Sequence, residues 1–172
     1  MVDETSPIKE GLGPKNKRME AKRYYEIAKL RREAAENSAT AAKFFKKYRR
    51  EEANAVTNTQ KAAGYRGKIE KLMEKSKFYE AKINDIKANL SSAKSSKSKG
   101  MRIKIANYRK KIAELNKKSK DIEAKAAKYN QKAAQYKEKS LKYLEKNKTY
   151  DAKSGELQKK ADELERTLNI QI

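Results

Sequence analysis

From Tyr65 onward a seam runs along the chain in a strict alternation of four and three, large and apolar at every position but Ser76: Tyr65, Ile69, Leu72, Ser76, Tyr79, Ile83, Ile86, Leu90. That spacing keeps all of them on one stripe of an α-helix, and a stripe so regular demands a helical partner. It predicts a helix over 65–93. A sharper repeat follows. Tyr108, Leu115, Ile122, Tyr129, Tyr136, Tyr143, Tyr150, Leu157 and Leu164 are each seven apart, and Ile105, Ile112, Ser119, Ala126, Ala133 and Ser140 lie three residues before the first six. These are the d and a positions of a heptad. They predict one helix from about Met101 to Leu168, roughly 100 Å long at 1.5 Å per residue. Large d residues against small a residues allow two helices to approach closely and interdigitate. Asn147, Ser154 and Gly155 weaken this seam, and Ser154 could cap a separate last helix; the unchanged phase favours one helix with a soft spot.

Ahead of these, a stripe of Tyr24, Ile27, Ala28, Ala34, Ala35, Ala41, Ala42, Phe45 and Tyr48 predicts a first helix over 17–61. Gly64 and Gly67 then predict a turn, and the Ser/Lys run over 91–100 a basic flexible connector. Residues 1–16, with Pro7, Gly11, Gly13 and Pro14, are expected to form an extended arm. The expected organisation is an arm over 1–16, a helix-turn-helix pair over 17–99 and a long lysine-lined helix over 100–172. The fold class is all-α, with long helices in a helical hairpin or coiled-coil-like arrangement. Ile69, Leu72, Tyr79, Ile83, Ile86, Leu90, Tyr108, Leu115, Ile122, Tyr129, Tyr136, Tyr143 and Tyr150 are the expected packing residues.

Composition narrows the chemistry. The 172 residues include 45 Lys plus Arg against 23 Asp plus Glu, a formal charge of +22, with no His and no Cys. Imidazole and thiolate metal sites, His-based acid–base catalysis, Cys nucleophiles and disulfides are therefore excluded. Carboxylate pairs such as Glu51–Glu52 sit among lysines with little apolar mass to tune them. No Gly-rich phosphate loop is present: Gly11-Leu12-Gly13 lacks a preceding strand and a third glycine. An enzyme is not expected, and no metal or cofactor. No apolar run of about 18 residues could span a bilayer, and neither a secretory signal peptide nor N-myristoylation is expected at Met-Val-Asp-Glu. A chain of such charge repels its copies until a polyanion neutralises it.

The charge is patterned. Lys104, Lys111, Lys118, Lys125, Lys132, Lys139, Lys146, Lys153 and Lys160 form an unbroken column at the g position. Lysine is common at g when acids at e pair with it. Here the e column from Arg109 to Gln158 holds only Glu123 and Asp151 as acids. The column therefore reads as a ridge for phosphates, gaining free energy from released counterions; a solvated face is the alternative. Lys46, Lys47, Arg49 and Arg50 flank Phe44 and Phe45 in a basic-aromatic patch, read as a nucleic-acid contact, a membrane-surface patch, or core plus solvated face. Phe44 lies off the first-helix stripe and is expected to be exposed or to meet another subunit. Lys15, Lys17 and Arg18 of the arm could reach a groove or backbone, and Arg102 and Arg109 join the candidate contacts. Stacking of bases on Tyr129, Tyr136, Tyr143 and Tyr150 competes with packing, which is favoured.

The basic arm to Arg18, the helix–Gly64–Gly67–helix unit and the lysine-lined helix, in a chain without Cys or His, resemble the major capsid proteins of filamentous DNA viruses of hyperthermophilic archaea. The resemblance is architectural. It implies helical subunits that wrap a double-stranded DNA genome in a dehydrated A-like form, in a virion or host cytoplasm. Abundant Lys and Glu, ten Tyr and no Cys fit a hot habitat. The expected function is a structural coat that binds nucleic acid without reading sequence and self-associates. The alternatives are a coiled-coil scaffold with an acidic protein partner, a basic helical protein of RNA or the ribosome, and a peripheral protein on anionic lipid.

Overall fold

The computed structural model describes residues 14–169, with side chains described from 17 to 168. Two helices account for nearly all of them: α1, Pro14–Leu90, and α2, Ser95–Asn169. The expected all-α class holds: helix packs on helix, and no strand occurs among the described residues. No helix among them is long and apolar enough to cross a membrane.

Several expected boundaries move. Helix α1 runs through Gly64 and Gly67 without a turn, so 17–99 is not a helix-turn-helix pair. A glycine inside a helix costs about 1 kcal/mol relative to alanine. Two such losses are smaller than the loss of packing that a break in the seam would bring. The seam in fact keeps its phase across both: Ala55, Asn58, Ala62, Tyr65, Ile69. The connector shrinks from 91–100 to 91–94, closed by Ala93 N–H to the Leu90 carbonyl at 3.4 Å, and Ser95 already belongs to α2. The arm ends earlier than expected, because Pro14 starts α1 where its missing N–H is no loss; residues 1–13 lie outside the described ones. Helix α2 continues through Ser154 and Gly155.

The chain forms two compact units, 1–48 with 141–172 and 49–140, and each helix contributes to both. In unit 1 the helices are antiparallel. Moving up α1, Arg31 meets Glu165, Ala34 meets Ser154, Ala41 meets Asn147 and Phe44 meets Tyr143. Ile27, Ala161 and Leu168 form its apolar cluster, backed by Leu30 and Leu164. The small residues expected at the seam let the backbones come close. Ser154 Oγ donates to the Ala34 carbonyl at 2.8 Å and Asn147 Nδ2 to the Ala41 carbonyl at 3.0 Å, both across the pair.

Unit 2 is a helical hairpin closed by the 91–94 turn. Glu52 meets Lys137, Tyr65 meets Tyr129 and Tyr79 meets Tyr108, so this pair is antiparallel too. Its seam contains every expected packing residue of 69–136, each buried or half-buried, with Ala55, Ala62, Ile83, Ala126 and Ser140 deepest.

The first-helix stripe needs correction. Tyr24, Ala28, Ala35, Ala42 and Phe45 are exposed, and the inner positions of unit 1 are Ile27, Leu30, Ala34, Asn37, Ala41, Phe44 and Tyr48. Phe44, expected off the stripe, is half-buried and stacks on Tyr143 and Tyr150 at centroid distances of 6.2 and 5.6 Å. Phe45 is 46% exposed. The physical reason is register. The phase of Tyr65, Leu72 and Tyr79, carried back seven residues at a time, lands on Asn58, Glu51 and Phe44. The two glycines hid that continuity.

Candidate nucleic-acid interface

Each antiparallel pair has two edges beside its seam. One edge carries the e positions of both helices and is ion-paired. In unit 2, Lys137 Nζ lies 2.9 Å from Glu52 Oε1; in unit 1, Arg31 Nη2 lies 2.6 Å from Glu165 Oε2 and 3.7 Å from Asp162 Oδ1. The other edge carries the g positions, and there lysine meets lysine. In unit 2, Lys61 of α1 and Lys132 of α2 both stand 5.7 Å from the centre of the Tyr129 ring. In unit 1, Lys47 and Lys146 both stand 5.5 Å from the centre of the Phe44 ring.

This convergence brings in residues that the sequence pattern alone did not single out. Lys61, Lys68, Lys75 and Lys82 occupy successive g positions of α1 in unit 2, facing the expected column Lys104, Lys111, Lys118, Lys125, Lys132 and Lys139 of α2. The signal was available: these four are themselves seven apart. No acid occupies a g position in unit 2, and none of these ten lysines forms an ion pair within 4.0 Å among the described residues. Asp85, Glu114 and Asp121 lie one turn outward, at c positions. The edge differs in unit 1, where Glu26 and Glu33 take g positions of α1 while Lys146, Lys153 and Lys160 take those of α2.

Part of the lysine column has a packing role. A d-position aromatic followed three residues later by lysine places the ammonium over a ring: Tyr108 with Lys111, Tyr129 with Lys132, Tyr136 with Lys139, Tyr150 with Lys153. Such contacts contribute about 0.5–1 kcal/mol at exposed sites. Packing over rings leaves the rest of the column unexplained. Lys104, Lys118 and Lys125 follow Met101, Leu115 and Ile122, and none of the three stands over a ring among the described residues. Lysine persists at g whether or not d is aromatic.

The other expected contacts scatter. Lys17 and Arg18 are exposed at the start of α1, and the side chain of Lys15 lies outside the described residues. Lys46 and Arg49 occupy f and b positions, away from the g edge, so the basic-aromatic patch divides between faces. Arg102 and Arg109 sit at e positions, on the edge opposite the lysines. The expected tyrosines are seam residues, as packing required, with their rings stacked on Phe44, Tyr65 or Tyr79 or capped by lysine.

Comparison with known protein families, with curated proteins and with solved structures found no match for this chain.

Proposed function

We propose that the protein is a structural, non-catalytic coat for nucleic acid, which grips double-stranded DNA by its phosphates without reading bases and associates with further copies along it. The observation that carries this is the pairing of Lys61 with Lys132 around Tyr129 on an edge of ten lysines. Two ammonium groups each 5.7 Å from one ring centre stand at most about 11 Å apart and repel by at least roughly 0.4–1.5 kcal/mol between bulk-water and surface dielectric values. One such pair is tolerable, but several in succession favour a polyanion that neutralises both columns. Each column repeats every ~10.5 Å. Duplex DNA offers a charge every ~1.7 Å, more than enough to match both columns. Lysine reads charge rather than base edges, so binding on this edge is sequence-independent.

The seam of each unit is filled by the chain's own second helix, so an acidic protein partner of the scaffold reading would meet the charged surface outside the seam. Self-association would instead use outward apolar side chains, such as Tyr24 and Tyr25 in unit 1 or Met73 and Phe78 in unit 2. A capsid-like role, in the sense of the archaeal filamentous viruses, is the biological setting this chemistry suits best.

Salt titration of duplex binding tests the proposal. Affinity should fall with a log–log slope steeper than about −5, as expected when six or more phosphates are neutralised. A shallow slope, or no binding in dilute buffer, overturns it.

A further inference from the structure

A phosphate ridge needs only a convex row of cations, yet unit 2 also has a concave place on that edge. A groove of about 470 Å³ is lined by Tyr65 and Tyr129, by Lys125, Lys128 and Lys132, and by Gln131 and Gln135. Tyr65 and Tyr129 stack at 5.6 Å with 20° between their planes. Lys61 and Lys132 stand by Tyr129 and Lys68 by Tyr65, the last at 5.2 Å, so five ammonium groups surround one aromatic pair. Next to Tyr65, Gly64 has open space where a Cβ would stand, with nothing within 4 Å. The neighbouring groove of the same unit has a different character. It is lined by Glu52, Ala55, Val56, Thr59, Ala133, Ala134 and Lys137, with no aromatic ring and its lysine ion-paired to its glutamate.

We propose that the Tyr65–Tyr129 groove seats one unstacked nucleotide of a single strand, its base against the tyrosines and its phosphate among Lys125, Lys128 and Lys132. This rests on the reading that the protein binds nucleic acid, and adds a second mode to it. Every base has a π-face, so an aromatic lining accepts any of them. Gln131 and Gln135 each offer both amide donors and a carbonyl acceptor, which satisfies the edge of any base without choosing one. A base inside a duplex cannot reach such a groove, so the site distinguishes single strands from the duplex held on the lysine edge. The volume lies within the ~300–1,000 Å³ range of small-ligand sites.

The test compares a fluorescently labelled oligothymidylate with a labelled duplex of equal length at one salt concentration. The double variant Gln131→Ala with Gln135→Ala changes two exposed side chains outside the seam and outside the lysine columns. It should weaken oligothymidylate binding severalfold and leave duplex affinity within about twofold. Tyr129→Leu should weaken oligothymidylate binding roughly tenfold or more, while Tyr129→Phe, which keeps the ring and the seam, should retain it. Equal losses on both probes, no loss on the oligothymidylate, or a Tyr129→Phe variant as weak as Tyr129→Leu would overturn the groove proposal. Duplex binding without oligothymidylate binding overturns it as well and leaves the coat intact. Oligothymidylate binding that the glutamine variant weakens, with no duplex binding at any salt, keeps the groove and removes the coat.

Discussion

Lys61 on α1 and Lys132 on α2 hold their ammonium groups at the same 5.7 Å from the centre of the Tyr129 ring. The ring offsets their mutual repulsion here, at about 0.5–1 kcal/mol for each contact. The same register, two heptads further along each helix, brings Lys75 to face Lys118. Neither of these has a ring beneath it among the described residues.

A charge reversal at this second pair should therefore separate stability from binding. Lys75→Glu exchanges a repulsion for an attraction across the edge and should stabilise unit 2 by about 0.2–1 kcal/mol, the range of exposed ion pairs. Duplex affinity should fall at the same time. Thermal melting and binding isotherms on one preparation check both signs. A variant that melts later and binds equally well would show the edge to be a solvated face.

Neutralising four lysines of the g edge gives the matching measure of phosphate binding. With Lys68, Lys75, Lys118 and Lys125 changed to Gln, the log–log salt slope should become shallower by up to about 3–4, near 0.9 for each phosphate no longer neutralised. Lys68→Gln also removes a cation from the Tyr65 ring, at a cost of about 0.5–1 kcal/mol to the hairpin.

Phe44 and Phe45 are adjacent in sequence and opposite in role. Phe44→Ala removes the ring that Tyr143, Tyr150, Lys47 and Lys146 all share. It should destabilise unit 1 by about 2–3 kcal/mol, somewhat below the figure for a fully buried phenylalanine. Phe45→Ala should stay within about 0.5 kcal/mol, as for an exposed position. Denaturant melts of the two variants decide the register of α1 directly.

Gly64→Ala and Gly67→Ala should each raise stability by roughly 0.5–1 kcal/mol, or about 1–4 °C in Tm. Both glycines have helical backbone with no positive φ, and nothing lies within 4 Å of the added Cβ. By contrast, Ala34→Leu forces bulk against Ser154, whose Oγ bonds the Ala34 carbonyl at 2.8 Å, and should cost about 1–3 kcal/mol by overpacking. Calorimetry of the three variants checks the set.

The seam of α2 was legible residue by residue. Ile105, Tyr108, Ala126, Tyr129 and Ser140 fall where the heptad put them, because a seven-residue repeat determines the face of a helix before any partner is known. The all-α class and the lysine column were legible for the same reason. The seam of α1 was harder to see. Alanine, serine and asparagine fill much of it, and outward Tyr24 and Phe45 compete with Ile27 and Phe44 for the apolar stripe. Two glycines suggested a stop that tertiary packing overrides.

Periodicity already says which positions of each helix face inward, since it is a property of one helix alone. The tertiary structure decided what those positions face: the same chain, running antiparallel, after a turn at 91–94. That direction of pairing sets e against e and g against g. It pairs Glu52 with Lys137 on one edge, and gathers lysines from both helices of unit 2 on the other. Local spacing carries no information about the direction of a partner, so this clustering of charge exists only in the folded hairpin.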